Sequence, residues 1–186
     1  MLDPVSASLI VGFSTILASG VTSSVVTYRL NRNKDQMIFM REKAEQLFLA
    51  ADEYEKMLGG QLVTFFPLLD GRIDYNQMLD LQIDHGSKPR ERGGAETLEM
   101  LVEIYFPTTR TALRQLWLAR DAFNSITQEI KRIYQAEGHA THADLKAKLL
   151  AVSGPVSDAT KALKAAIVEA ARRYAGVNQI VAPARR

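Results

Sequence analysis

No charged side chain occurs between Val5 and Tyr28, a stretch of 24 residues. As a helix this stretch would be about 36 Å long at about 1.5 Å per residue, which is enough to cross a hydrocarbon core of about 30 Å. Pro4 precedes it, at a position where a helix start tolerates proline. The pattern predicts one N-terminal transmembrane helix.

The cations Arg29, Arg32 and Lys34 follow the stretch and predict its orientation. Positively charged residues favour the cytoplasmic side, so the main domain should be cytoplasmic and the N-terminus should face outward. A cleaved signal peptide is the alternative, but it requires cations before the apolar stretch, where Asp3 is the only charged side chain. We therefore predict a single-pass protein of the inner or plasma membrane, in contact with membrane lipid.

Small and hydroxyl-bearing residues share one face of this predicted helix. Successive helical residues are about 100° apart, and this spacing places on one side Ser8, Gly12, Thr15, Ser19, Thr22 and Ser23. Such a face permits close helix–helix packing in lipid, so it predicts contact with another copy or another membrane protein. Two alternatives are hydroxyls that bond back to their own helix and a polar stripe that lines a pore in an oligomer.

A second helical pattern follows the charge-free stretch. Apolar residues recur there at alternating steps of three and four, as in a coiled-coil seam, and they are Met37, Met40, Ala44, Leu47, Ala51, Tyr54 and Leu58. The seam either joins copies of the chain or forms the core face of an intramolecular bundle. The amphipathic helices that follow favour the bundle.

The rest of the chain predicts helices at 61–69, 74–83, 95–106, about 109–138 and, as one kinked helix, about 141–175. Outside the first 30 residues no run of β-branched residues alternates with polar ones, so no strand is predicted. The predicted fold is all-α. It comprises a transmembrane anchor (1–30), a helical stalk that is the first bundle helix (31–60), an antiparallel cytoplasmic bundle (61–175) and a flexible basic tail (176–186).

Composition and motifs exclude several classes of function. The chain has no cysteine, which excludes disulfides and thiolate metal sites. Its net charge of +2 gives no bulk attraction to nucleic acid, so no nucleic-acid partner is expected. The sequence contains no phosphate-binding glycine loop, dinucleotide fingerprint, serine elbow or zincin motif. We predict no enzyme activity, no catalytic residue and no cofactor.

Two polar segments are weaker candidates for ligand binding. His139 and His142, with Asp144 nearby, are spaced like metal ligands, but they straddle a predicted loop and helix start. A solvated loop is therefore favoured and no metal site is predicted. A glycine-rich loop could contact a phosphate group or anionic lipid, although a mobile surface loop is favoured. Its cations are Lys88, Arg90 and Arg92.

The leading hypothesis is a non-enzymatic, membrane-anchored helical module. It would form a homo-oligomer through the serine-rich helix, the seam or both, and bind a protein partner or ligand at the cytoplasmic face. The alternative is an oligomeric membrane effector, pore-forming or bilayer-disrupting, that its helical domain controls. That alternative rests on architecture alone.

Overall fold

The computed structural model describes the backbone of residues 4–86 and 94–174 and the side chains of residues 27–84 and 94–174. These residues form five α-helices and one 3₁₀ turn, and within them there is no strand. The predicted all-α class is thereby confirmed. The elements are α1 Pro4–Leu69, α2 Tyr75–Gly86, α3 Ala95–Tyr105, the 3₁₀ turn Pro107–Thr109, α4 Arg110–Glu137 and α5 Ala143–Tyr174.

The chain divides into two compact units, residues 1–40 and residues 41–186. The described part of the first unit is one segment of α1. Its side chains are exposed from Thr27 to Phe39, and Met40 is half-buried. The second unit contains the remainder of α1 together with all the other helices, and it forms a helical bundle with its own core.

The predicted membrane localisation is wrong for the chain as the structure describes it. No helix of the described residues is both long enough and apolar enough to cross a bilayer. The physical reason within the described side chains of α1 is charge, because charged residues recur between Arg29 and Lys56. The charge-free remainder of the helix, to Leu69, is too short to cross a bilayer. The single-pass topology, the lipid contact and the membrane-effector alternative all depended on this span.

The residues of the predicted lipid-embedded packing face lie outside the described side chains. The structure places them on the helical backbone of α1 and describes nothing more of them. They are Ser8, Gly12, Thr15, Ser19, Thr22 and Ser23.

The seam of α1 lines the centre of the bundle core from its third residue onward. Ala44, Leu47, Ala51, Tyr54 and Leu58 are each at most 5 % exposed. The Tyr54 ring meets a ring on α4 edge-on, with 5.3 Å between the centroids. This part of the seam therefore packs within the chain's own bundle.

The second half of the core joins the end of α1 and the first turn of α2 to α4 and α5. Its buried residues are Phe65, Leu68, Leu69, Met78, Phe123, Ile130, Ala140, Leu145 and Leu149. Two contacts show that α4 and α5 run antiparallel. Near their connection, Glu129 of α4 pairs with Lys148 of α5 at 2.8 Å. At the other end, the ring of Phe106, which precedes the 3₁₀ turn before α4, meets the ring of Tyr174 in α5, with centroids 6.0 Å apart.

Prolines and glycines within the long helices do not end them. Pro67 lies inside α1, and Pro155 lies inside α5. Residues 143–174 thus form one helix, as the unbroken phase of the apolar pattern predicts. The pair Gly59 and Gly60 is also helical, so α1 continues past it to Leu69.

The termini of two helices follow directly from local side-chain chemistry. The Asp74 carboxylate accepts a hydrogen bond from the Gln77 N–H at 2.8 Å, and the Gln77 side-chain oxygen accepts one from the Asp74 N–H at 2.9 Å. This reciprocal capping box starts α2. Gly138 ends α4 in the left-handed conformation, and its N–H donates to the Tyr134 carbonyl at 2.8 Å.

Candidate functional site

The N-terminal unit presents an apolar helix face that no other described part of that unit covers. Leu30 is 63 % exposed, Met37 44 % and Ile38 46 %. At about 100° per residue these three side chains fall within an arc of about 100°, so they share one side of the helix. We call Leu30, Met37 and Ile38 the N-terminal face.

This face continues the register of the seam. Leu30 precedes Met37 by seven residues, which is one coiled-coil heptad. Met37 and Met40, the first two seam residues, belong to the N-terminal unit, whereas the other five belong to the bundle. Sequence reasoning missed Leu30 because Asn33 occupies the intervening seam position and interrupts the apolar pattern. The sequence signal for Leu30 is its position one heptad before Met37.

The charges beside the N-terminal face are mostly positive. Arg29, Arg32 and Lys34 outnumber Asp35 between residues 27 and 40. On a helical surface one unfavourable like-charge pair costs about 0.2–0.5 kcal/mol. Full burial of a Leu, Ile or Met side chain contributes about 1.5–3 kcal/mol, so covering the exposed half of each of these side chains contributes about half of that. Contact with an identical face is therefore opposed by the charges but favoured by the larger apolar contribution.

An ion network fixes α5 against α1 inside the bundle. The Lys164 ammonium, on a side chain that is 17 % exposed, donates to Asp52 and to Glu55, each at 2.6 Å. Lys56 pairs with the other oxygen of Asp52 at 2.7 Å. Hydrogen bonds from Lys164 and then Lys56 lower the pKa of Asp52 from 3.8 to about 2. Burial opposes the charge of Lys164, but its two carboxylate partners outweigh burial and raise its pKa.

This pairing assigns the network a structural role. A lysine acts as a nucleophile when its pKa is lowered and its amine is free to attack. Lys164 shows the reverse, with a raised pKa and both carboxylates in contact.

Three potential metal ligands converge where α4 connects to α5. Glu137, His139 and His142 each offer a ligand atom, and these atoms all lie within 4.8 Å of one another. His142 Nε2 is 2.8 Å from a Glu137 carboxylate oxygen. The two imidazole rings stack at 30°, with 5.7 Å between their centroids. Two imidazoles and one carboxylate form a donor set suited to zinc-type ions.

Asp144, the third ligand that the sequence suggested, is engaged elsewhere. Its carboxylate lies 3.3 Å from the Lys148 ammonium. The hydrogen bond from Lys148 lowers the pKa of Asp144. The structure instead supplies Glu137, the residue just before the left-handed Gly138. That glycine reverses the chain, which brings the last residue of α4 beside the histidines that follow it. The sequence signal is the glycine placed between an acidic residue and two histidines.

The remaining predicted site lies outside the described residues. The predicted contacts of the glycine-rich loop with an anion or lipid stay a prediction, and so does the basic tail at 176–186. The loop cations are Lys88, Arg90 and Arg92.

Comparisons of the chain with protein-family models, with characterised proteins and with solved structures find no match.

Proposed function

We propose that this protein is a non-enzymatic helical module that associates with a second copy of itself through the N-terminal face. The observation that carries the proposal is the exposure of Leu30, Met37 and Ile38, between 44 % and 63 %, on a unit whose described part is one helix segment. The non-enzymatic part rests on the lack of catalytic and cofactor motifs in the sequence.

Helix stability supports a partner for this segment. Isolated helices are marginal in water, and most helical stability in proteins comes from packing of an apolar face. The described side chains from Thr27 to Ile38 are all exposed, so this stretch gains little from packing inside the described monomer. A facing helix would supply the missing contacts.

The heptad spacing supports a second copy as that partner. Leu30 and Met37 occupy equivalent positions of successive heptads, and helices that share such a repeat can pack knobs into holes along it. In a symmetric dimer each copy contributes the same patch, so the apolar residues of both copies are covered by one contact. The cations beside the face reduce the affinity but do not outweigh the apolar contribution.

Sedimentation velocity on the full chain tests this proposal. We expect the unmodified chain to sediment as a dimer at micromolar concentration. The double variant Leu30→Glu, Met37→Glu should shift it to monomer, because dimer formation would then bury carboxylates. Tyr28→Glu is the matched control, since Tyr28 is 67 % exposed on the far side of the same helix and should leave the dimer intact.

Two outcomes would reject the proposal. One is an unmodified chain that stays monomeric throughout the concentration series. The other is a double variant that associates as strongly as the Tyr28→Glu control.

A further inference from the structure

We propose that Glu137, His139 and His142 form a binding site for a divalent transition-metal ion of zinc type at the connection between α4 and α5. The inference is independent of self-association, because all three residues belong to the bundle unit. It rests on their convergence, with every ligand atom within 4.8 Å of the others.

The spacing fits the ion with small side-chain movements. Zinc binds imidazole nitrogen and carboxylate oxygen at about 2.0–2.2 Å, so ligand atoms around a tetrahedral ion stand roughly 3.3 Å apart. Glu137 and His142 already place their ligand atoms 2.8 Å apart. His139 and Glu137 are exposed, so neither side chain is locked by packing, and both can adjust by rotation.

The backbone holds the three ligands close before any ion binds. Gly138 fixes the turn between Glu137 and His139 through its left-handed conformation, with φ at +76°. Ala140 anchors the middle of the connection in the core, at 1 % exposure. The His142 carbonyl accepts a hydrogen bond from a backbone N–H of α5 at 3.1 Å, which ties the second histidine to the start of that helix.

A solvated loop alone does not account for this arrangement. The contact between His142 and Glu137 satisfies both side chains as a simple hydrogen bond. It does not require His139 to stack on His142 with its nitrogen near the same carboxylate. A shared cation explains why three side chains converge, whereas a surface ion pair explains two.

The donor set also predicts selectivity. Two imidazoles favour zinc, cobalt, nickel and copper over magnesium and calcium, which prefer oxygen ligands. Three protein ligands leave a fourth position on a tetrahedral ion for water or a small anionic ligand. His139 also borders a cleft of about 310 Å³ that Tyr134 and Thr141 help to line, so this position is reachable from solvent.

Titration of the full, tag-free chain with Co²⁺, followed by displacement with Zn²⁺, tests the site. We expect one Co²⁺ per chain with the intense visible absorption of tetrahedral cobalt, and its loss on addition of one equivalent of Zn²⁺. His142→Ala and Glu137→Gln should each weaken binding at least about tenfold. Circular dichroism should show unchanged helix content in both variants, because the two residues lie at the surface.

Two matched controls separate the site from general affinity for histidine or acidic residues. His85→Ala removes the third histidine of the chain, and Asp144→Asn removes the acidic residue that is paired with Lys148. Both should bind Co²⁺ like the unmodified chain. Binding that survives Glu137→Gln undiminished, falls equally with His85→Ala, or lacks a one-to-one endpoint would overturn the proposal.

Discussion

At the scale of single residues, two glycines differ in whether their backbone conformation requires glycine. Gly59 lies in the helical interior of α1, and a Cβ built there meets nothing within 4 Å. Gly138 adopts φ +76°, a conformation that strains any side chain despite the open space around it. The same substitution should therefore have opposite effects at the two positions.

We expect Gly59→Ala to raise the free energy of unfolding by about 0.5–1 kcal/mol, because alanine loses less backbone entropy on folding. Gly138→Ala should lower it by about 1–2 kcal/mol, the cost of a left-handed L-residue. Urea denaturation of both variants at one pH measures the two changes. A Gly138→Ala variant as stable as Gly59→Ala would show that the turn at the end of α4 is not held in this conformation.

At the scale of elements, the ion network links α5 to α1 and makes that contact sensitive to acid. The folded pKa of Asp52 is about 2, against 3.8 for the free side chain. A depressed carboxylate pKa contributes stability above the free value, and that stability is lost as pH falls through the folded value. The contribution of Asp52 should therefore fade between pH 3.8 and about 2.

Lys164→Met should reduce the stability at neutral pH by about 1 kcal/mol, since the carboxylates are about one third exposed and solvent screens the interaction. The variant should also make the free energy of unfolding less dependent on pH between 3.8 and about 2, because the hydrogen bond from Lys164 is the largest cause of the lowered pKa of Asp52. Lys161→Met is the control, because Lys161 is 70 % exposed and its ion pair with Asp158 is long at 3.8 Å and therefore weak. Equal losses for the two lysines would show that the network does not fix the helices.

Much of the element pattern could be predicted from the sequence, because short-range chemistry determines it. Asp74 starts α2 and Gly138 ends α4, and each acts on atoms within a few residues. The apolar stripe of α5 kept its phase through Pro155, so the single helix was predictable as well. The continuation of α1 through Gly59 and Gly60 was not predictable, because propensity alone does not reveal whether tertiary packing on both sides will hold a helix through two glycines.

The ligand set at the end of α4 was predictable only in part. The two histidines followed from their spacing, whereas Glu137 requires the three-dimensional turn at Gly138 to reach them. Asp144 was the nearer acidic residue in the helical pattern, but Lys148 one turn along α5 pairs with it. Which acidic residue is available thus depended on a competing ion pair, and sequence spacing does not rank such competitors.

At the scale of the whole molecule, the division into two units assigns the buried core and the proposed self-association to different parts of the chain. Every buried residue of the described chain lies between Ala44 and Ala170, within the bundle unit. The exposed N-terminal face, by contrast, belongs to residues 1–40. The bundle should therefore fold without the first unit, and self-association should depend on the first unit without contributing to the bundle core.

A fragment of residues 41–186 tests this separation. We expect it to unfold cooperatively with nearly the same urea midpoint as the full chain, because the described residues that it lacks, 27–40, include no buried one. It should sediment as a monomer, because Leu30, Met37 and Ile38 are gone, and it should bind Co²⁺ as the full chain does, because Glu137, His139 and His142 are retained. A fragment that is unfolded would contradict the independence of the bundle. A folded fragment that still forms dimers would locate self-association in the bundle and exclude the N-terminal face as its basis.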